Sequence, residues 1–229
     1  MGILTDLLSA LLPFCCHVCS ESTRFGEVLC SRCNEQLFQA LKEPVSVNDT
    51  ICDFPVYTLS EYDSFVSEIV RLIKYRPSRK LTGYIEKIIV GRKLLQKDFS
   101  RHHIFIPVPM HPSREAQRGF NQAQIFAEIF AGSLGSNFSP ALRRVVATVP
   151  QAGCNEEQRL ENLKGAIELE AGLLKSCFKN KNLVLVDDVA TTGTTLQQCR
   201  EQLQSLEPAS ITALVVSHSY RKVPPAIKI

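Results

Sequence analysis

The sequence predicts an α/β fold that consists of one larger domain and a small module at its N-terminal end. Short apolar runs typical of buried strands alternate with segments of helical spacing, and four cysteines near the start of the chain have the spacing of metal ligands. Apolar strands that alternate with helices are typical of a mostly parallel sheet covered on both faces. The chain has 229 residues, 45% of them hydrophobic, which is enough for one such core beside a small module.

Strands and helices alternate along residues 51–229, as the spacing of the apolar side chains indicates. Strands are expected within 51–59 (a first strand or hairpin arm), 103–109, 182–186 and 211–216 and near residue 167, and helices over 64–74, 81–95, 121–130 and 194–206. The helix of 64–74 is expected to end before Pro77, because a residue that precedes proline avoids the helical conformation. This order predicts crossover connections between parallel strands.

The segment 182–195 has the composition of a phosphate site. An apolar run ends in two adjacent acids, and a loop of small residues then leads into a helix. The start of a helix offers free N–H groups and the positive end of the helix dipole, which favour a phosphate. Hydroxyl groups add donors, and glycine lets the backbone approach closely. The loop residues expected to bind a ribose phosphate are Ala190, Thr191, Thr192, Gly193, Thr194 and Thr195.

Asp187 and Asp188 follow this apolar run directly. When ionised they only accept hydrogen bonds, so they can take the two protons of a ribose diol or face a magnesium ion. A well-capped helix after an acidic turn is the alternative interpretation. Two unpaired acids at the end of a buried strand would cost free energy without a ligand, which favours a ligand site.

A second polar motif, residues 107–122, follows the strand of 103–109. Its prolines, Pro109 among them, stiffen a loop, and the forked donors of Arg114 and Arg118 match a diphosphate. A turn followed by a helix that Asn121 caps is the alternative. Two arginines close to a phosphate loop favour ligand contact, which we expect for Pro109, Arg114 and Arg118.

A third polar stretch, residues 148–165, is long enough to be a lid over a reactive centre. A lid would exclude water from a ribosyl centre, which reacts readily with it. An ordinary solvent loop is the alternative interpretation. The stretch contains the polar residues Gln151, Arg159 and Asn162.

Four of the nine cysteines form two Cys-x-x-Cys pairs, namely Cys16, Cys19, Cys30 and Cys33. Two such pairs are the usual geometry of a tetrahedral thiolate zinc site. Cys15 and His17 are alternative ligands, although Cys16 preserves the matching spacing. Free buried thiols and an iron–sulfur cluster are the other interpretations. A structural zinc ion would fold a segment that is too small for its own core.

The net charge of +3 is too small to indicate nucleic acid by itself. Residues 71–101 nevertheless carry ten basic side chains against two acidic ones, which predicts either a surface for single-stranded DNA or a solvated helix face. No secretory signal is apparent, and the apolar stretch 7–14 is too short to span a bilayer. The chain is therefore expected to be cytoplasmic, with a short amphipathic helix at its start.

The segment 187–195 resembles the phosphoribosyl-diphosphate (PRPP) signature of type I phosphoribosyltransferases. Over about 11–216 the chain resembles the ComF (ComFC) family of competence-associated proteins. The resemblance rests on this segment, the run Arg118-Gly119-Phe120-Asn121-Gln122, the pattern of Gln151, Arg159 and Asn162, and the four cysteines after a proline. It implies a zinc ribbon over 1–50 and a phosphoribosyltransferase-like domain over 51–229, a parallel sheet flanked by helices.

The same resemblance implies roles for individual residues. It places the diphosphate loop around 108–114, gives a catalytic role to Asp187, Asp188 and Arg159, and matches Lys74-Tyr75 to a family position. Purine-salvage enzymes carry an aspartate where this chain has Thr191, which argues against purine salvage. The implied ligand is PRPP with magnesium.

The implied function is DNA uptake in natural transformation, together with a helicase or translocation partner. Two alternatives stay open: an active phosphoribosyltransferase on a nucleobase or another acceptor, and a regulator that senses PRPP. The resemblance leaves open whether the protein catalyses a transfer at all.

Overall fold

The computed structural model describes residues 14–24, 26–47, 52–75, 79–146 and 165–218. In chain order the elements are α1 (Ser31–Ala40), β1 (Val45–Ser46), β2 (Val56–Glu61), α2 (Ser64–Tyr75), α3 (Arg79–Gly91), β3 (His103–Pro107), α4 (Pro112–Arg118), α5 (Gln122–Leu134), β4 (Asn137–Phe138), β5 (Leu142–Arg144), β6 (Ile167–Leu169), a 3-10 turn (Lys175–Cys177), β7 (Asn182–Ala190), α6 (Thr194–Gln204) and β8 (Ser210–His218). The predicted N-terminal helix, the polar stretch 148–164 and Arg159 lie outside the described residues.

The central sheet has the strand order β1-β2-β8-β7-β3-β4. Its neighbouring strands are parallel, except that β1 runs antiparallel to β2 at one edge. Within the described chain, β5 and β6 form a separate antiparallel pair. The predicted α/β fold with a mostly parallel sheet is thus confirmed.

Both faces of the sheet are covered, because successive side chains of a strand point to opposite faces. On β7, Val184 and Val186 pack with the apolar side chains of α2, α3 and α5. Leu183 and Leu185 pack on the other face, with α6 and the β5–β6 pair. Cys199 is fully buried in this second cluster.

Several elements differ from those predicted. The strand expected to end at residue 186 continues to Ala190, because its pairing with β8 extends to that residue. The segment expected to be a loop stiffened by proline contains the helix α4, with Pro112 in its first turn. The helices predicted over 81–95 and 194–206 end earlier, at Gly91 and Gln204, and Leu94 and Leu95 are buried in the turns that follow Gly91.

The N-terminal segment that carries the four cysteines and α1 (residues 14–24 and 26–41), here called the cysteine module, packs directly against α3. Arg92 donates hydrogen bonds of 2.6 Å to the carbonyl oxygens of Phe38 and Leu41, and its guanidinium lies 4.7 Å from the Phe38 ring centroid. Tyr84 donates to the carboxylate of Glu27, and this bond and the burial of the ring raise the pKa of Tyr84 to about 12. The module and the α2–α3 face share one apolar cluster. The predicted division into 1–50 and 51–229 stays a prediction.

Within the described ranges, no helix combines the length and the apolar character needed to cross a lipid bilayer.

Candidate ligand site and metal centre

A cavity of about 260 Å³ lies beyond the carboxyl end of β3 and beside the end of β7. Ligands of open parallel sheets bind at this end of the strands. Six of the residues predicted from the sequence line it: Pro109, Arg114, Arg118, Asp187, Asp188 and Thr195. The structure therefore brings together two polar motifs that lie far apart in the chain.

Asp187 is half-buried at the wall of this cavity. Its Oδ1 accepts a hydrogen bond of 2.8 Å from the backbone N–H of Asp188. Burial of the carboxyl, and then the negative charge of Asp188, raise the pKa of Asp187 to about 8. This carboxyl can therefore both carry and accept a proton near neutral pH.

Asp188 is only 8% exposed and has a cationic partner. Lys74 Nζ, in the last turn of α2, lies 3.0 Å from its Oδ2. The backbone N–H of Val189 donates a bond of 2.7 Å to its Oδ1. The two neighbouring acids thus differ in environment, because Asp188 carries the direct ion pair.

Three arginines bring positive charge to the same cavity, and Arg114 and Arg118 lie one helical turn apart on α4. Arg118 Nη1 donates a bond of 2.7 Å to Oε1 of Gln122, which fixes the position of its guanidinium. Arg144 enters from β5, and burial and then the charge of Arg114 lower the pKa of its guanidinium. Crowded cations of this kind favour an anionic ligand with several charges.

The predicted phosphate loop leads into α6 without a side-chain cap. The N-cap is Gly193, whose φ of 72° lies in the left-handed region that glycine adopts most easily, and no described side chain caps it. Thr192 and Thr194 hydrogen-bond to each other through their hydroxyl groups, 3.0 Å apart. The helix start therefore lacks the side-chain cap that the alternative interpretation of a well-capped helix expects, and its N–H groups remain available to an anion.

The loop residues do not all reach the cavity. Thr195 lines it, whereas Ala190 is buried in the core beneath α6 and Thr191 and Thr192 are exposed to solvent. Gly193 and Thr194 are likewise absent from the described lining of the cavity.

Arg144 and Gln122 are among the cavity residues that were not predicted as site residues from the sequence. Arg143 and Arg144 are adjacent, and alternation along β5 sends Arg143 outward to Glu168, at 2.8 Å, and Arg144 into the cavity. The basic pair is visible in the sequence, but which member faces inward depends on the strand. Lys74 and Tyr75, known only from the family resemblance, also line the cavity.

The four predicted metal-ligating cysteines meet in one cluster. The sulfur atoms of Cys16, Cys19, Cys30 and Cys33 all lie within 4.8 Å of one another. Cys15, the alternative ligand, is exposed and does not belong to this cluster, and no other group of this kind occurs in the described ranges. The backbone N–H of Cys33 donates a bond of 3.4 Å to the Cys30 sulfur, which also caps α1.

The cluster has the donor set that zinc prefers. Burial acts to raise the pKa of Cys16, but backbone hydrogen bonds outweigh it and lower the pKa to about 7. Burial and neighbouring sulfurs raise the pKa of Cys33. Four adjacent thiols of this kind can be deprotonated together only when a cation compensates their charge, so the residues present fit a structural metal ion such as zinc.

No family model matches the chain. Similar proteins include competence protein F of Haemophilus influenzae, 26% identical over 201 residues, which are 85% of this chain and 80% of that protein. DNA utilization protein YhgH of Escherichia coli K12 is 24% identical over 82% of this chain and 83% of that protein. Competence protein ComFC of Bacillus subtilis is 28% identical over 72% of this chain and 63% of that protein.

Solved structures with a similar arrangement include adenine phosphoribosyltransferase of Saccharomyces cerevisiae, 15% identical with a TM-score of 0.42 over 82% of this chain and 89% of that chain. Hypoxanthine phosphoribosyltransferase of Staphylococcus aureus is 14% identical with a TM-score of 0.34 over 80% of this chain and 71% of that chain. Over most of its length, this chain is a homologue of the proteins named competence protein F, ComFC and YhgH.

Proposed function

We propose that this protein binds PRPP with magnesium in the cavity beside β7 and that it supports DNA uptake in natural transformation. The observation that supports this ligand is that Asp187 and Asp188 line one cavity together with cationic side chains of α2, α4 and β5, near the carboxyl ends of parallel strands. A phosphorylated sugar requires groups that accept hydrogen bonds from its hydroxyls and groups that bind its phosphate, both in one cavity.

Each part of the ligand has a matching part of the site. The start of α6, where Thr195 lines the cavity, suits the 5-phosphate. Asp187 and Asp188 accept hydrogen bonds from the ribose hydroxyl groups, and Arg114, Arg118 and Arg144 bind the diphosphate.

Magnesium fits the oxygen atoms of Asp187 and Asp188, which would hold it mainly through water. The ion would supply charge neutralisation for the diphosphate leaving group. The protein contributes the remaining positive charge through its own arginines.

DNA uptake is proposed from the relatives, whose printed names refer to competence and to DNA utilization. A helicase or translocation partner belongs to the same proposal, and the cysteine module offers a surface separate from the cavity. Several basic side chains of the segment 71–101 already bind other groups of the protein, so fewer of them are available to bind DNA than the composition suggests. Arg71 pairs with Glu68, Arg92 binds two carbonyl oxygens, and Lys97 pairs with Glu43.

Phosphoribosyl transfer is a second candidate function, which the environment of Asp187 favours. A carboxyl whose pKa is about 8 can accept a proton from an incoming nucleophile near neutral pH. Release of diphosphate from PRPP with a panel of nucleobases would show this activity, and the Asp187→Asn variant should lose it.

Isothermal titration with PRPP and magnesium tests the ligand. We expect binding by the wild type and a loss of at least about 100-fold in the Asp187→Asn/Asp188→Asn variant, because neutral amides replace the two carboxylates that accept hydrogen bonds from the ribose diol and face magnesium. The Glu86→Gln/Asp98→Asn variant is the matched control, since both of these acids are exposed and lie outside the cavity lining. Absence of PRPP binding by the folded wild type would refute the ligand.

The biological role needs its own test. A strain that lacks the gene should take up and incorporate DNA poorly while it grows normally on salvaged nucleobases. Normal transformation in that strain would refute the DNA-uptake proposal and leave the ligand proposal standing.

A further inference from the structure

Tyr75 is a large aromatic side chain at the mouth of the cavity. It is the last residue of α2, it lines the cavity, and it is 69% exposed. Its ring therefore does not belong to the core. The proposed contacts with phosphate, ribose and diphosphate also do not involve Tyr75, since charged and hydroxyl side chains bind those groups.

The position of Tyr75 is fixed from two sides. Its neighbour Lys74 is anchored inside the cavity by the 3.0 Å ion pair with Asp188. The guanidinium of Arg118 lies 5.8 Å from the centroid of the Tyr75 ring. Gln122 holds that guanidinium through the 2.7 Å bond to Arg118. Side chains from α2, α4 and α5 thus build the ring's environment, which is more than one exposed residue on a surface provides.

This arrangement suits a flat, π-rich group. A guanidinium over an aromatic ring leaves much of that ring open to solvent, as the exposure of Tyr75 confirms. Unpaired nucleobases stack on exposed aromatic rings, and cations beside the ring bind the phosphate of the same nucleotide. Here the ring and the cations Lys74 and Arg118 line one cavity.

We propose that Tyr75 is the stacking platform for an unpaired nucleobase whose ribose phosphate occupies the cavity. The proposal rests on the proposed ribose-phosphate ligand and extends it to a nucleotide. Stacking on a ring accepts any base, so purines and pyrimidines should both bind. The base can come from a free nucleotide or from the end of a single DNA strand, because the two share this chemistry.

The decisive quantity is the gain in affinity that a base adds to the sugar phosphate. Isothermal titration of the full-length protein with ribose 5-phosphate, AMP and UMP gives this ratio directly. In the wild type we expect both nucleotides to bind roughly tenfold more tightly than ribose 5-phosphate, as stacking on one aromatic ring provides. The Tyr75→Phe variant should retain this ratio, whereas in the Tyr75→Leu variant it should fall to about one.

Tyr62→Leu is the matched control, because Tyr62 is an exposed tyrosine that does not line the cavity. It should keep the wild-type ratio. A ratio of one in the wild type, or a gain that survives in Tyr75→Leu, would overturn the stacking proposal while the ribose-phosphate ligand stood. Failure of PRPP and ribose 5-phosphate to bind at all would overturn both.

A second arm identifies the source of the base. A short 5′-phosphorylated oligothymidylate with a fluorescent label at its 3′ end is titrated with the same variants and followed by anisotropy. If binding depends on Tyr75 and ribose 5-phosphate displaces the strand, the base belongs to a DNA end. If only mononucleotides show the Tyr75-dependent gain, the base belongs to a free nucleotide.

Discussion

The cysteine cluster and the cavity both bring ionisable groups close together, but they balance charge in opposite ways. The four sulfurs of the cysteine cluster all lie within 4.8 Å of one another, and the single positive charge of Arg32, which interacts with Cys19, cannot balance four thiolates. In the cavity, Lys74 already lies 3.0 Å from Asp188, and arginines outnumber the remaining acid. We therefore expect the cysteine module to need a bound metal ion in order to fold. The cavity, in contrast, should already be formed before an anion binds.

This difference has a structural consequence on the α2–α3 face. Cys16, Cys30 and Cys33 belong to the same apolar cluster as Ile73 of α2 and Ile85 of α3. Loss of the ion would therefore weaken packing beyond the module itself. Because α2 also carries Lys74 and Tyr75, the two sites are connected through this helix.

Removal of the metal is expected to have the largest effect. The Cys33→Ser variant, or treatment with a strong chelator, should abolish stoichiometric zinc and lower the melting temperature by 10 °C or more, since structural zinc contributes about 10 kcal/mol or more to such modules. Metal analysis and thermal unfolding measure this. Cys177→Ser is the control, because Cys177 is exposed and outside the cluster. Metal-free purified protein with an unchanged melting temperature would contradict the comparison.

Arg144→Gln should weaken binding without unfolding the protein. We expect PRPP affinity to fall about 10- to 100-fold, as a charge-assisted contact to a diphosphate is lost. The melting temperature should change little, because burial and Arg114 already disfavour the charge of Arg144. Arg143→Gln is a close control, since Arg143 is the neighbour that points outward to Glu168. Equal losses in both variants would show that the cavity does not select Arg144.

The Lys74→Met variant tests whether Lys74 compensates the negative charge of Asp188 before any ligand binds. The ion pair with Asp188 is 30% and 11% exposed at its two side chains, so its loss should cost about 1–3 kcal/mol of unfolding free energy. Lys97→Met is the control: its pair with Glu43 is 74% and 63% exposed and should contribute less than about 1 kcal/mol. Urea denaturation compares the two. Lys74→Arg should recover most of the loss, and a cost no larger than that of Lys97→Met would contradict a preformed cavity.

The fold and the two sites were predictable from the sequence to different depths. Periodicity predicts strands and helices because burial on one face leaves a mark on every second or every third to fourth residue. Spacing alone predicts the four cysteines, since both pairs are local in the chain. Asp187 and Asp188 were predictable because two acids at the end of an apolar run stand out against their surroundings.

What could not be predicted depends on tertiary geometry. Arg144 faces the cavity only because β5 places alternate side chains on opposite sides, and a three-residue strand gives too short a pattern to recognise. The continuation of β7 to Ala190 depends on its pairing with β8, which ends opposite His218. The environment of Tyr75 depends on Arg118, a residue of another helix.

The pH dependence of stability gives the smallest and most specific test of the cavity. The pKa of Asp187 rises from 3.8 to about 8 on folding, so the folded protein holds a proton between these values that the unfolded chain has released. Stability from this group is therefore full below about pH 4 and declines as pH rises toward 8. The effect is ranked last because the neighbouring charge of Asp188 responds to the same titration, which spreads the change over a wide pH range. In urea denaturation from pH 4 to 9, Asp187→Asn should lack this decline, whereas Glu86→Gln should keep it. A wild type whose pH profile matches that of Asp187→Asn would mean that Asp187 is ionised throughout, and the cavity would then carry both negative charges before any ligand binds.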